Sequence, residues 1–165
     1  MRTAKHLRYT ISLIALFLAG SLRAQETKSD TVPMSTIELI FLRIHAADAK
    51  ARRSDKYNGP TLEDKAIRMG LEVQDISILD DAAMTFAEKE AKLHEDVMHY
   101  EAEQEARKAP LDPNVFKSFG DRRMALVVEA FNSIRSGLSK QSFEKLVGLL
   151  DTELRESIKP IPFGR

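Results

Sequence analysis

The sequence predicts an all-α protein: an antiparallel bundle of helices or helical hairpins built around one long central helix. Three observations carry this. Apolar residues recur at steps of three and four in segment after segment. Capping signals and helix-breaking Pro or Gly residues punctuate those segments. No stretch shows the sustained period-two alternation of a half-buried strand.

Before the first helix, Arg2, Lys5 and Arg8 precede an apolar run from Ile11 to Leu18, and Leu22-Arg23-Ala24 ends on a small residue. That order predicts a secretory signal peptide over 1–24, cleaved before Gln25, and hence an exported chain, periplasmic or extracellular. The run from Tyr9 to Gly20 is well short of the roughly 20 apolar residues that span a bilayer, so no stable membrane anchor is expected after cleavage. Residues 25–34 are expected to form a flexible leader, 35–160 one helical domain and 161–165 a tail.

Ser35-Thr36-Ile37-Glu38 matches a capping box. Ile37, Ile40, Phe41, Ile44, Ala47 and Ala51 then mark a first helix over about 36–53. Asn58-Gly59-Pro60 reads as a turn, and Thr61-Leu62-Glu63-Asp64 starts a short second helix to about Met69. At Gly70 the chain either breaks or bends. The segment from Glu72 to Lys108 contains neither Pro nor Gly, and Ile76, Leu79, Ala83, Phe86, Glu90, Leu93, Val97 and Tyr100 form a heptad stripe along it. A continuous helix of this length measures on the order of 50 Å. Its distal, highly charged end is expected to project into solvent or meet a partner.

Asp112-Pro113 supplies an N-cap and a proline at the first helical position of the next helix. Phe116, Phe119, Val127, Ala130, Phe131, Ile134 and Leu138 mark its buried face, with Gly137 suited to its C-terminal cap. Ser139 caps a last helix whose apolar positions are Phe143, Leu146, Val147, Leu150, Leu154 and Ile158. The short connection predicts that these two helices form a hairpin, expected to be the most stable part of the domain. Pro160 and Pro162 end the pattern.

The whole chain carries 25 basic and 25 acidic residues, and loss of Arg2, Lys5, Arg8 and Arg23 with the signal leaves a mildly acidic product. Nucleic acid, which requires clustered Lys and Arg, is not an expected partner. The absence of cysteine excludes disulfides, thiolate metal sites and a lipid-modified cysteine. There is no Gly-x-Ser-x-Gly elbow and no phosphate-cradling glycine loop. No enzyme activity and no cofactor are therefore expected.

Two functional readings follow. In the first, Phe86, Glu90, Leu93, Val97 and Tyr100 form an apolar strip that binds a protein partner or a second copy of the chain. Glu90 either sets register or partner choice within that strip, or marks where one contact ends and another begins. The second reading is a small metal site using Asp96 and His99, with His94, since carboxylate and imidazole groups three or four residues apart share a helix face. His94 and His99 are five apart and do not readily share one ion. His45 and Asp48, also three apart, read as a boundary histidine bonded to its neighbour.

The layout resembles that of short secreted bacterial all-helical proteins of uncharacterised function. The matching features are the signal, the first amphipathic helix, the short helix ending near Gly70-Leu71, the long charged helix, and the final pair around Leu138-Ser139 and Phe143. A more distant likeness is to periplasmic stress chaperones with Leu-Thr-x-x-Gln repeats. Leu138-Ser139-Lys140-Gln141-Ser142 has serine for threonine and glutamine one place early. The repeat itself is therefore not matched, and a chaperone-like hold on other chains is an expectation by analogy alone.

Overall fold

A computed structural model describes residues 32–155, so the expected signal, most of the expected leader, Ile158 and the expected tail lie outside the described residues. Five helices follow one another: α1 (Met34–Arg52), α2 (Leu62–Met69), α3 (Val73–Arg107), α4 (Pro113–Gly137) and α5 (Lys140–Leu149), the last running on into a π turn, Leu150–Leu154. No strand occurs among the described residues, and no helix there is long and apolar enough to cross a membrane.

The start of α1 differs from the expected capping box. Pro33 holds the N-cap position without a side-chain bond, and its carbonyl accepts from Thr36 N at 3.0 Å and Ile37 N at 3.3 Å. Its ring presets φ near the helical value while ψ stays extended, so the helix begins before Ser35, which lies exposed on the first turn. Val32 and Met34 pack against the core, so the leader's last residues belong to the domain. The helix start expected at Thr61 is present, and Thr61 and Asp64 form a capping box there. Gly70 takes the left-handed conformation, φ 63°, and closes α2 with Leu71 N bonded to Ala66 O at 2.9 Å. The chain therefore breaks there, and glycine is the residue that does this without a Cβ penalty.

α3 is one uninterrupted helix of 35 residues. Asp112 caps α4, accepting from Asn114 N at 2.8 Å. Gly137 is the last helical residue of α4 rather than its cap, which is Leu138. A Cβ on Gly137 would stand 2.8 Å from the Ile78 Cγ2 methyl, so the glycine is required by close approach to α3. Ser139 caps α5, accepting from Ser142 N at 3.0 Å.

The main core joins Ile37, Phe41 and Leu42 of α1, Ile76, Leu79, Ala83 and Phe86 of α3, Val127, Phe131 and Ile134 of α4, and Leu146 and Leu150 at the C-terminal end. The principal partner of α4 is α3, with α5 distributed over α2 and α4 and the π turn resting on α1. The expected hairpin of the last two helices is therefore a minor contact. Leu138 is extended at the junction and carries the chain away from the α4 axis. Asp75, at the start of α3, ties the two ends together: its Oδ2 accepts from Glu72 N at 3.2 Å and from the Ser142 hydroxyl at 2.8 Å.

A second, smaller core lies at the distal end, where Leu93 and Val97 of α3 meet Phe119 of α4, with Tyr100, Val115, Phe116 and Leu126 around them. The tyrosine hydroxyl accepts from Asp112 N at 2.8 Å and so fastens the α3–α4 connection. This corrects the expectation that the stripe is bare. Val97 is fully buried and Leu93 nearly so, because the first half of α4 doubles back along α3.

Candidate functional site

The residues of the expected partner-binding strip are used inside the monomer. Phe86, Leu93 and Val97 are core, and Tyr100 is half-buried against Phe116 at a ring-centroid distance of 5.8 Å. Phe86, Leu93 and Val97 therefore offer no exposed contact surface. Glu90 faces two other helices. Arg43 Nε of α1 donates to its Oε2 at 3.1 Å while the same guanidinium also meets Oε1, and Arg123 Nε of α4 stands 3.3 Å from Oε1. One carboxylate thus pins three helices in register. Arg123 is held below the usual guanidinium range, first by burial and then by the nearby Arg43 charge, against the opposing pull of Glu90. His94 lines the same cleft, of about 280 Å³, with Ala87 and Ala91.

The residues of the metal reading are separated. Asp96 accepts from Arg122 at 2.7 Å, while His99 faces Glu103 at 3.7 Å with its side chain largely exposed. Among the described residues, no three His, Cys, Asp or Glu side chains converge as a metal would require. Arg122 of α4 pairs with Asp96 across the interface.

His45 departs from its expected pairing with Asp48. It is buried, stacked on Phe41 at 4.2 Å between ring centroids, with Nδ1 turned to Asp80 Oδ1 of α3 at 3.6 Å. Neither of these two buried atoms has a hydrogen-bond partner. Asp48 instead binds Arg52, Lys65 and, at 3.2 Å, the Tyr57 hydroxyl. Arg52 also bridges to Asp80, so a chain of four charges joins α1, α2 and α3. Burial pushes the Asp80 carboxyl up, but the His45 imidazole, the Arg52 guanidinium and the Lys65 charge outweigh it and hold the group below the ordinary carboxylate range. Asp48 is likewise held low: burial raises it, and Lys65, Arg52 and Tyr57 together outweigh the burial.

Above this network lies a groove of about 340 Å³. Phe41, Ile44 and His45 of α1 form one side, Arg68 and Met69 of α2 a second, and Leu149, Glu153 and Leu154 the third. Ile44 is 54% exposed and Ile67, one residue before Arg68, 78%. The third wall is the π turn and the residue before it, an irregularity found frequently at functional sites. Sequence reasoning placed Phe41, Ile44 and Leu154 on helix faces but did not find this groove. The available signal was Ile67, an apolar residue off the Leu62–Ala66–Met69 face of α2. No family model, curated protein or solved structure matches the chain.

Proposed function

We propose that this chain is an exported, non-enzymatic interaction protein that holds an apolar segment of another polypeptide in the groove between α1, α2 and the π turn. The supporting observation is the groove itself. Its walls are Phe41, Ile44, Met69, Leu149 and Leu154, with charged groups only at Arg68 and Glu153 and the imidazole of His45 backed by Asp80. Recognition by an apolar groove with a charged rim suits an amphipathic or unfolded chain.

The test uses the full exported chain and a reduced, alkylated globular protein as an unfolded client. A photo-crosslinking residue at position 44 is expected to capture the client, and Met69→Asp is expected to reduce that capture at least tenfold with helicity retained. Capture at position 44 no greater than from position 111, on the far loop, overturns the reading. Export is tested separately by intact mass. The product outside the cytoplasm is expected to begin at Gln25, and one that still carries Ile11 to Leu18 overturns the export step.

A further inference from the structure

The groove's third wall ends where the described chain ends. Leu149, Glu153 and Leu154 line it, and Arg155 follows directly. The sequence then continues Glu156-Ser157-Ile158-Lys159-Pro160-Ile161-Pro162-Phe163. Pro160 and Pro162 disfavour the helical region for the residues before them, so the sequence does not favour prolonging the last helix away from the body. It places three large apolar side chains, Ile158, Ile161 and Phe163, in one short stretch. At about 3.3 Å per extended residue, the chain from Arg155 to Phe163 reaches roughly 25–30 Å.

We propose that the segment Ile158–Phe163 of this same chain is the groove's resident occupant, seating its apolar residues against Ile44, Met69 and Leu154. The inference rests on reading the groove as a docking site. It adds that an external segment gains entry by displacing an internal one. Burying large apolar side chains next to their own point of attachment carries little association entropy, because the effective concentration of a tethered segment is high. A displaceable internal occupant also keeps Ile44 and its neighbours from nonspecific contact until a better ligand competes.

Because the chain has no cysteine, disulfide trapping tests this cleanly in the full-length protein. Ile44→Cys is combined with Phe163→Cys and exposed to mild oxidation, with products read by intact mass. The comparison pair is Leu111→Cys with Phe163→Cys. Leu111 is comparably exposed, at 48%, but lies past the distal end of α3. Arg107 alone is roughly 25 Å along that helix from Glu90, the residue paired with Arg43. An intramolecular bond forming at position 44 at least tenfold faster than at position 111 is the expected result. Equal rates overturn the proposal. So does bonding at position 44 only between two molecules, which assigns the groove to a second copy.

A second variant guards against misfolding of the first. Ile161→Ser with Phe163→Ser leaves all the described residues intact and is expected to raise the fluorescence of a groove-seeking apolar dye severalfold. No change overturns the proposal. Client capture at position 44 without tail trapping overturns this inference and leaves the docking function standing. Tail trapping without client capture does the reverse.

Discussion

Asp80 carries a charge in surroundings with little water: its side chain is 11% exposed and the Arg52 side chain 12%. Removing one member of such a pair typically costs 3–5 kcal/mol, because the other stays buried and unpaired. Arg52 retains Asp48, so Asp80→Asn is expected at the lower end, about 3 kcal/mol at pH 7. The pH dependence follows from the direction of the shift. The folded carboxyl sits below its unfolded value of about 3.9. Its contribution is therefore full above that value and is lost as pH falls through the folded one. Urea unfolding at pH 7 and at pH 3 should show the gap between wild type and variant narrowing in acid, and an unchanged gap excludes this role. Glu38 behaves oppositely. Burial raises its carboxyl above the ordinary range, so Glu38→Gln should stabilise the protein slightly at pH 7 and have no effect at pH 3.

At the scale of elements, α3 and α4 meet at two points that sequence periodicity does not reveal. At the proximal end, Gly137 lets the helices close against Ile78. Gly137→Ala gains roughly 1 kcal/mol of helix propensity but drives a methyl into a β-branched side chain, and a net loss of stability is expected. Ile78→Ala made alongside should recover most of that loss in a double-mutant cycle; additive effects would show that the two sites do not touch. At the distal end, Leu93→Ser with Val97→Ser should unfold the α3–α4 tip, because both residues are buried in the small second core. The predicted readout is a lowered unfolding midpoint with no change in sedimentation. A variant of normal stability that loses association would instead restore these residues to a surface.

The whole molecule has two cores of unequal size, bridged by Leu126, which packs on both. Local stability tracks buried apolar contact. Amide exchange is therefore expected to be slowest around Ile76–Phe86 and Val127–Ile134 and faster in Leu93–Arg107 and the first turns of α4. Phe131→Ala, which opens the main core, should cost about 3–5 kcal/mol and speed exchange throughout. Phe119→Ala should speed exchange mainly at the distal tip. Uniform acceleration by Phe119→Ala would mean a single cooperative unit.

By itself the sequence determined the helical class, the boundaries at Thr61, Asp112 and Ser139, and the continuity of α3, and it left Gly70 as either a break or a bend. These depend on local chemistry: a side-chain oxygen within reach of its own backbone, a glycine free to go left-handed, a proline that cannot donate, and a long stretch lacking both breakers. The same rules failed at Ser35, where Pro33 started the helix first. Which faces of the helices meet was decided only by the tertiary structure. The stripe through Leu93 and Val97 reads identically whether it is covered by a partner or by α4. Asp96 three residues from His99 reads as a ligand pair until Arg122 arrives from another helix. Helical spacing says which residues share a face, but what lies opposite that face depends on contacts between residues far apart in the chain. The groove at Ile44 belongs to that second kind of information, since its three walls come from three segments that local patterning treats separately.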